Sequence, residues 1–328
     1  MDSQQIPIDD LRSALSAHLT AQSGRYGLHT DTFRLEPFSY NAVEATRSFT
    51  ARDHNRAVHI KLWHTKQQAI RDCWLAVHDI LESRHNAPRV LDRVDLPEVD
   101  ATGLIFEHID GLYPTGQAAT DRLLRSARRL HEDEELATQL GFSREPTTVG
   151  QYFEGLHIRR LNTDINIIRA TAPPPIVDDG LLAWMERETQ ELKQTARSSP
   201  AFEVQARWPT HGDLYEGNTL LADDGGWYVF DWDDLALGDP VADYIIILRN
   251  SAQRHPEINW RSFGIEATDE GFGERMRFYA RVSLLYKVVD GLAEHLGLDA
   301  SNPLVSAISR EKREAFESGL ALYRERYG

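Results

Sequence analysis

The stretch HGDLYEGN at 211–218 sets His211, Asp213 and Asn218 in one short run, and Asp231 follows thirteen residues after Asn218, at the end of the apolar-rich WYVF. Gly212 and Gly217 permit tight backbone turns, so Asp213 and Asn218 can project into a common space. A carboxylate such as Asp213 beside a transferable hydroxyl orients it and accepts its proton. An Asn amide oxygen ligates a hard cation without adding charge, and a carboxylate at Asp231 supplies a second oxygen that can hold Mg²⁺ and bridge it to phosphate oxygens. Singly, each residue has a plain structural use, Asp213 in a turn and Asn218 as a cap. The surrounding charge argues for more. From Glu203 to Asp243 there are ten acids against one base, Arg207. So much like charge is costly unless water, cations or distant basic residues relieve it. A solvated acidic face accounts for part of it, but not for Asp231 directly after WYVF.

The elements that must position these residues are readable in outline. Residues 8–19 form an amphipathic helix. TFRLEPF, VEATRSFTA and RAVHIKLW read as three successive strands of an antiparallel meander, the last two joined by the polar turn RDHN. A helix follows over about 66–84, with Ile70, Trp74, Val77 and Leu81 at helical spacing, and then two further strands, APRVLDRV and TGLIFEHI. Beyond Asp110 the pattern becomes mostly helical: TDRLLRSARRLHEDEELATQL, about 148–170, 180–197, 269–296 and 303–327. The expected division is 1–108 and 109–328, mixed sheet before and mostly helix after.

The bulk numbers bound the class. The chain has 328 residues, 41% hydrophobic and 27% charged, enough for a sizeable core. A formal net charge of −15 disfavours nucleic acid as a partner. Cys73 is the single cysteine, the N-terminus carries acids where a secretory signal would be basic and apolar, and the longest aliphatic run is IIIL at 245–248. The expectation is a soluble cytoplasmic protein with no membrane partner; the sequence sets no oligomeric state.

HGDLYEGN followed by FDWDDLALGDPVAD resembles the aminoglycoside phosphotransferase and choline kinase-like family of small-molecule kinases. In that family the motif reads approximately His-Gly-Asp-x-x-x-x-Asn, then a strand ending in Asp, then Gly-Asp-Pro-x-x-Asp. The resemblance covers nearly the whole chain and is weakest between 140 and 200. It implies an α+β, bilobal, protein kinase-like fold: an N-terminal antiparallel sheet with one helix, binding nucleotide, and a larger helical lobe with the catalytic loop and acceptor site. It implies Asp213 as catalytic base, Asn218 and Asp231 as Mg²⁺ ligands, ATP or GTP as phosphoryl donor, and His211 and Asp239 as scaffold positions bracing the catalytic loop. It calls for a Lys on the third strand. In AVHIKLW, Val58, Ile60 and Leu62 alternate onto one face, which leaves His59, Lys61 and Trp63 on the other. Lys61 is thereby placed toward the α- and β-phosphates. The hinge matches LIFEHIDG, with adenine against backbone groups of Glu107 and Ile109 behind Phe106. YG at 26–27 and NAV at 41–43 add to the likeness.

Two features depart from the pattern. The loop EPFSYNAVEA holds no glycine to cradle phosphate, and Ser39 and Asn41 are the substitutes at hand. The helix after Lys61 should carry an acid that pairs with it; Asp72, Asp79 and Glu82 all qualify, and Asp72 in its Arg-Asp pair is similar to the family's Arg-Glu.

The seven residues between Asp231 and Asp239 are too few for a segment that orders a peptide substrate, so a small-molecule acceptor is expected. A cationic acceptor such as an aminoglycoside or another antibiotic suits the acidic balance, with an amino alcohol or sugar as the alternative. Asp234, Glu216, Asp290 and Glu294 are candidate contacts. Two readings from other classes are a metal-dependent hydrolase using His211, Asp213, Asp231 and Asp233, and a nucleotide-binding pseudoenzyme. The first leaves Lys61 unexplained, and the second lacks the loss of a key residue that would define it.

Overall fold

A computed structural model describes residues 8–29, 33–37, 48–141, 147–171, 177–249, 259–297 and 303–328. Ser39, Asn41 and the NAV segment lie outside the described residues. The chain divides into two compact units, the first Met1–Pro114 with Glu216–Asp233, the second Thr115–Tyr215 with Asp234–Gly328.

The first unit is built on a five-stranded antiparallel sheet in the order β1-β2-β3-β5-β4, from Arg34–Pro37, Ser48–Arg52, Ala57–His64, Ala101–Glu107 and Val90–Leu96 respectively. The expected meander and the two later strands are all present. At the RDHN turn, Asp53 Oδ1 accepts the N–H groups of Asn55 and Arg56, both at 2.8 Å, which sets the β2–β3 register with Ala51 opposite Val58. Along β3, Val58, Ile60 and Leu62 enter the core with Phe49, Val94 and Ile105, and the helix Ile8–Ala21 covers that face with Leu11, Leu15 and Leu19. The i, i+4 spacing of those leucines makes one apolar stripe. The helix Gln68–His85 buries Trp74, Val77 and Leu81 and ends at Asn86, whose φ of 57° closes it in the left-handed conformation. Gly103 lets β5 lie against β3, because a Cβ there would meet the Lys61 carbonyl oxygen at 2.2 Å.

Residues 216–233 join the first unit through a small sheet in which β6 (Gly111–Leu112) pairs with β8 (Thr219–Ala222), and β8 with β9 (Trp227–Val229). This pairing ties a segment from beyond residue 200 to β6, which follows the last strand of the five-stranded sheet, a long-range partnership that composition along the chain does not reveal.

The second unit is mostly helical, with helices Gln117–His131, Glu134–Gly141, Asp179–Ser198, Pro240–Ile247, Phe272–Gly297 and Pro303–Tyr327. A two-stranded antiparallel pair, β7 (Trp208–Thr210) and β10 (Ala236–Gly238), lies among them. The expected helix over 148–170 is three pieces: Val149–Phe153, a π turn over Glu154–Ile158, and Arg159–Thr171. The wide turn holds His157 in the interior, where its ring stacks on Phe153 and Nδ1 shares a 3.2 Å hydrogen bond with the Tyr286 hydroxyl. No helix among the described residues is long and apolar enough to cross a membrane.

Burial, with the Arg160 charge added, pushes the His157 imidazole down to about 3. The folded protein therefore keeps His157 neutral where the unfolded chain, with an ordinary histidine pKa near 6.5, takes up a proton. Stability from this residue is fully present above about pH 6.5 and is lost as pH falls toward 3, by up to roughly 1.4 kcal/mol per pH unit. Urea unfolding at pH 7.5 and 5.5 checks this: His157→Gln should lose less stability over that interval than the native chain. An equal loss would place the titrating group elsewhere.

Candidate active site

Within the first unit, the β8–β9 hairpin places two of the expected residues at one end. Thr219 faces Val229, and one step further the Phe230 N–H donates to the Asn218 carbonyl at 2.9 Å. Asn218 and Asp231 thus leave the same end of a hairpin. Asp231 sits there at φ 59°, one of three non-glycine residues among those described with positive φ. Such a backbone costs free energy and persists only where the surroundings impose it.

Lys61 comes to the same place from β3. Its Nζ lies 2.6 Å from Asp231 Oδ1 and 2.8 Å from Asp233 Oδ1. Burial alone would lower the ammonium pKa, but the two carboxylates outweigh it and raise the value, so Lys61 is charged at any working pH. Trp63, two residues on, donates its indole N–H to Asp233 Oδ2 at 2.8 Å. Burial and the neighbouring Lys61 charge hold His59 down at about 4, so this histidine adds no positive charge near neutrality.

The expectation of a helix acid beside Lys61 is corrected here. Asp72 accepts from Arg71 at 2.9 and 3.0 Å and from Gln68 at 3.2 Å, while Asp79 pairs with His78 at 3.1 Å and Glu82 is exposed. Arg71 is itself buried and turned to Asp95 and Thr102, so the Arg-Asp pair braces the sheet. At the other end of β5, Glu107 is the last strand residue. Its N–H donates to the Arg89 carbonyl at 3.0 Å, and its carboxylate accepts the Arg89 N–H at 2.9 Å. Ile109 follows outside the strand, and Phe106 is buried edge-on against Trp74.

In the second unit, β7 delivers the loop that begins at His211. The N–H groups of His211 and Gly212 both donate to Asp243, at 3.0 and 2.9 Å, and the Asp213 N–H donates to His211 Nδ1 at 3.3 Å. Asp243 also meets His131 Nε2 at 3.0 Å and is fully buried. Burial would push its carboxyl up, but His131, His211 and the backbone donors win and hold it low. Gly212 has φ 83°, and a Cβ there would stand 2.6 Å from Asp234 Cβ, so no other residue fits this turn.

The bracing residue is therefore Asp243, with His211 acting through its ring nitrogen. Asp239 serves a different contact. It caps the helix Pro240–Ile247 at the Val241 N–H, 3.2 Å, and pairs with the fully buried Arg275 at 2.8 Å. Asp243 and Arg275 are the residues sequence reasoning missed. The second acid of GDPVAD, one helical turn after Asp239, was a usable signal for Asp243. Nothing in the sequence marked Arg275 apart from other helix arginines.

Of the candidate acceptor contacts, Asp290 lies 3.8 Å from Arg160, whose guanidinium stands over the Tyr286 ring. Glu294 pairs with Lys312. Asp234 and Glu216 fall in different units. Among the described residues no group of three or more His, Cys, Asp or Glu sits together to hold a metal ion.

The model of the phosphotransferase enzyme family matches residues 44–279, well over half of the chain. No curated protein matches the sequence. Solved structures share the fold at low identity. Choline kinase LicA from Streptococcus pneumoniae superposes with a TM-score of 0.54 at 11% identity, covering 96% of this chain and 99% of that one. Aminoglycoside phosphotransferase APH(3'')-Id from Streptomyces rimosus gives 0.53 at 20%, covering 84% and 98%. A GDP and kanamycin complex of an APH(2'') enzyme gives 0.54 at 12%, covering 94% and 97%. The five-stranded antiparallel sheet with its helix, and the mostly helical remainder, are the protein kinase-like fold these structures share. With its HGDLYEGN loop, its strand-borne lysine and a family match of that extent, the chain belongs to the phosphotransferase enzyme family.

Proposed function

We propose that this protein transfers the γ-phosphate of ATP or GTP to a hydroxyl of a small molecule. The observation that carries the reading is the convergence of Lys61 on Asp231 at the hairpin end that also bears Asn218. Lys61 supplies a permanent positive charge toward the phosphates. The Asn218 amide and the Asp231 carboxylate are hard oxygen donors, and two protein ligands completed by phosphate and water suit Mg²⁺ better than any softer ion. When bound, the ion supplies charge that offsets the negative phosphate oxygens. The base of the nucleotide fits against backbone groups of Glu107 and Ile109, with the apolar Phe106 behind.

Asp213 takes the proton of the acceptor hydroxyl as its oxygen forms the new bond to phosphorus. The bond to the leaving β-phosphate oxygen breaks, and nucleoside diphosphate departs. The peptide groups before Asp213 are pinned by Asp243, so the base is held in place before substrate arrives. A two-metal hydrolase has no cluster of three or more metal-binding side chains among the described residues to rest on.

For the acceptor, the acidic balance and the kanamycin complex of a structural neighbour favour an aminoglycoside or another amino-bearing antibiotic, which would make resistance the physiological role. The choline kinase neighbour keeps an amino alcohol, or a sugar, as the second reading. The GDP held in that same kanamycin complex supports GTP as donor beside ATP. A single cysteine and a nucleotide donor fit the cytoplasm.

Calorimetric titration of ATP and GTP with and without Mg²⁺ tests the nucleotide half of this reading. The native chain should bind one of them more tightly with Mg²⁺, and Asp231→Ala should lose that gain, about tenfold or more in Kd. Binding of neither nucleotide by the native chain would sink the reading.

A further inference from the structure

We propose that Asp233 is the positioning residue for Lys61, holding the lysine toward the nucleotide in the role expected of an acid on the helix Gln68–His85. The proposal rests on the reading of Lys61 as the phosphate-facing lysine. Lys61 and Trp63 are two apart on β3 and so share a face. They grip different oxygens of one carboxylate: Lys61 Nζ lies 2.8 Å from Asp233 Oδ1, and Trp63 Nε1 lies 2.8 Å from Oδ2. Trp63 is 2% exposed, and a buried indole N–H needs an acceptor, so this bond fixes the carboxylate whatever Lys61 does.

Asp231 also touches Lys61, but it is the proposed metal ligand. A carboxylate that serves a divalent ion is a weakened partner for an ammonium. Asp233 is the more sheltered of the two, its side chain 26% exposed against 45% for Asp231, and solvent screens it less. The three acids of the helix are turned elsewhere or exposed, as described above. Locked by Trp63 and the more sheltered of the two, Asp233 therefore carries the larger share of the hold on Lys61 with or without the metal, and the more exposed Asp231 the lesser share.

The test is binding of ATP without added Mg²⁺, measured by calorimetry for the native chain, Lys61→Met, Asp233→Asn and the double variant, followed by the same series with Mg²⁺. Asp233→Asn keeps the shape and an acceptor for Trp63 but removes the charge. It should weaken metal-free binding about tenfold, as Lys61→Met does, and the double variant should be no weaker than either, because the two residues act as one unit. Asp233→Glu should recover part of the loss. The Mg²⁺-dependent gain should survive in Asp233→Asn.

Three results would overturn the proposal: unchanged binding in Asp233→Asn, additive losses in the double variant, or loss of the Mg²⁺ gain, which would make Asp233 a metal ligand. If Asp233→Asn does not fold, Trp63→Phe removes one of the two grips. A several-fold weaker metal-free binding supports the proposal, and no change overturns it. Unaltered binding in Lys61→Met would instead bring down the reading of Lys61 and this proposal with it, a pattern distinct from a silent Asp233→Asn alone.

Discussion

Asp213→Ala is expected to lower turnover about 10²- to 10⁴-fold while leaving nucleotide affinity nearly intact. The split follows from the position of the residue. Asp213 belongs to the second unit, whereas Lys61, Asn218 and Asp231 all belong to the first. Its backbone is anchored through Asp243, which receives the His211 and Gly212 N–H groups, and none of those bonds uses the Asp213 side chain. Truncation to Ala therefore removes the proposed proton acceptor and leaves these backbone bonds of the loop in place. Steady-state kinetics beside nucleotide titration measures both quantities on one preparation. A turnover within about threefold of the native value would remove Asp213 from the proton transfer, since even modest general-base catalysis contributes more than that.

Arg275→Leu should destabilise the protein by about 3–5 kcal/mol. Arg275 is fully buried in the helix Phe272–Gly297 and bonds Asp239, Asp269 and the Ala201 carbonyl, with partner distances of 2.7 to 2.9 Å for its shortest contacts. Asp239 has no exposure of its own. Burial already pushes the Asp239 carboxyl up, with Arg275 beside it pulling the other way. Without the guanidinium nothing offsets the cost of that charge, and the carboxyl must take a proton or draw in water. Asp239 also caps the helix that carries Asp243, so the damage reaches the support of the loop that holds Asp213. Urea unfolding followed by circular dichroism gives the number. A loss below about 1 kcal/mol would mean that the site relaxes around the missing cation, contrary to the usual penalty for breaking a buried pair.

Much of the sheet was legible because its signals are local. Val58, Ile60 and Leu62 alternate with His59, Lys61 and Trp63, and RDHN is a turn by composition, so β2, β3 and the side of β3 that carries Lys61 follow from spacing alone. The buried stripe of the helix 68–85 was legible for the same reason. The partner of Lys61 was not, because Asp231 and Asp233 are 170 and more residues away and no periodicity connects them to β3. The three acids on the nearer helix looked equally suitable, and only the turn of Arg71 toward Asp72 and Asp95 decides against the first of them. Strands β7 and β10 are three residues each, below the length at which alternation can speak. The π turn at 154–158 differs from an α-helix by one residue in its hydrogen-bond spacing, a change that leaves the apolar pattern around His157 looking continuous. Lys61, Asp213, Asn218 and Asp231 were named through the likeness of HGDLYEGN and FDWDDLALGDPVAD to the family's motif, whose glycines and acids at set intervals are rare by chance. Asp243 was within reach, because it lies one turn after Asp239.

Transfer to a small-molecule hydroxyl through Asp213 is best checked by release of nucleoside diphosphate from ATP and GTP, with Mg²⁺, across aminoglycosides, other antibiotics, amino alcohols and sugars, with Asp213→Ala as the blank. Release stimulated by one class of compound and lost in Asp213→Ala is the expected result. Stimulated release that persists undiminished in Asp213→Ala would contradict transfer through Asp213.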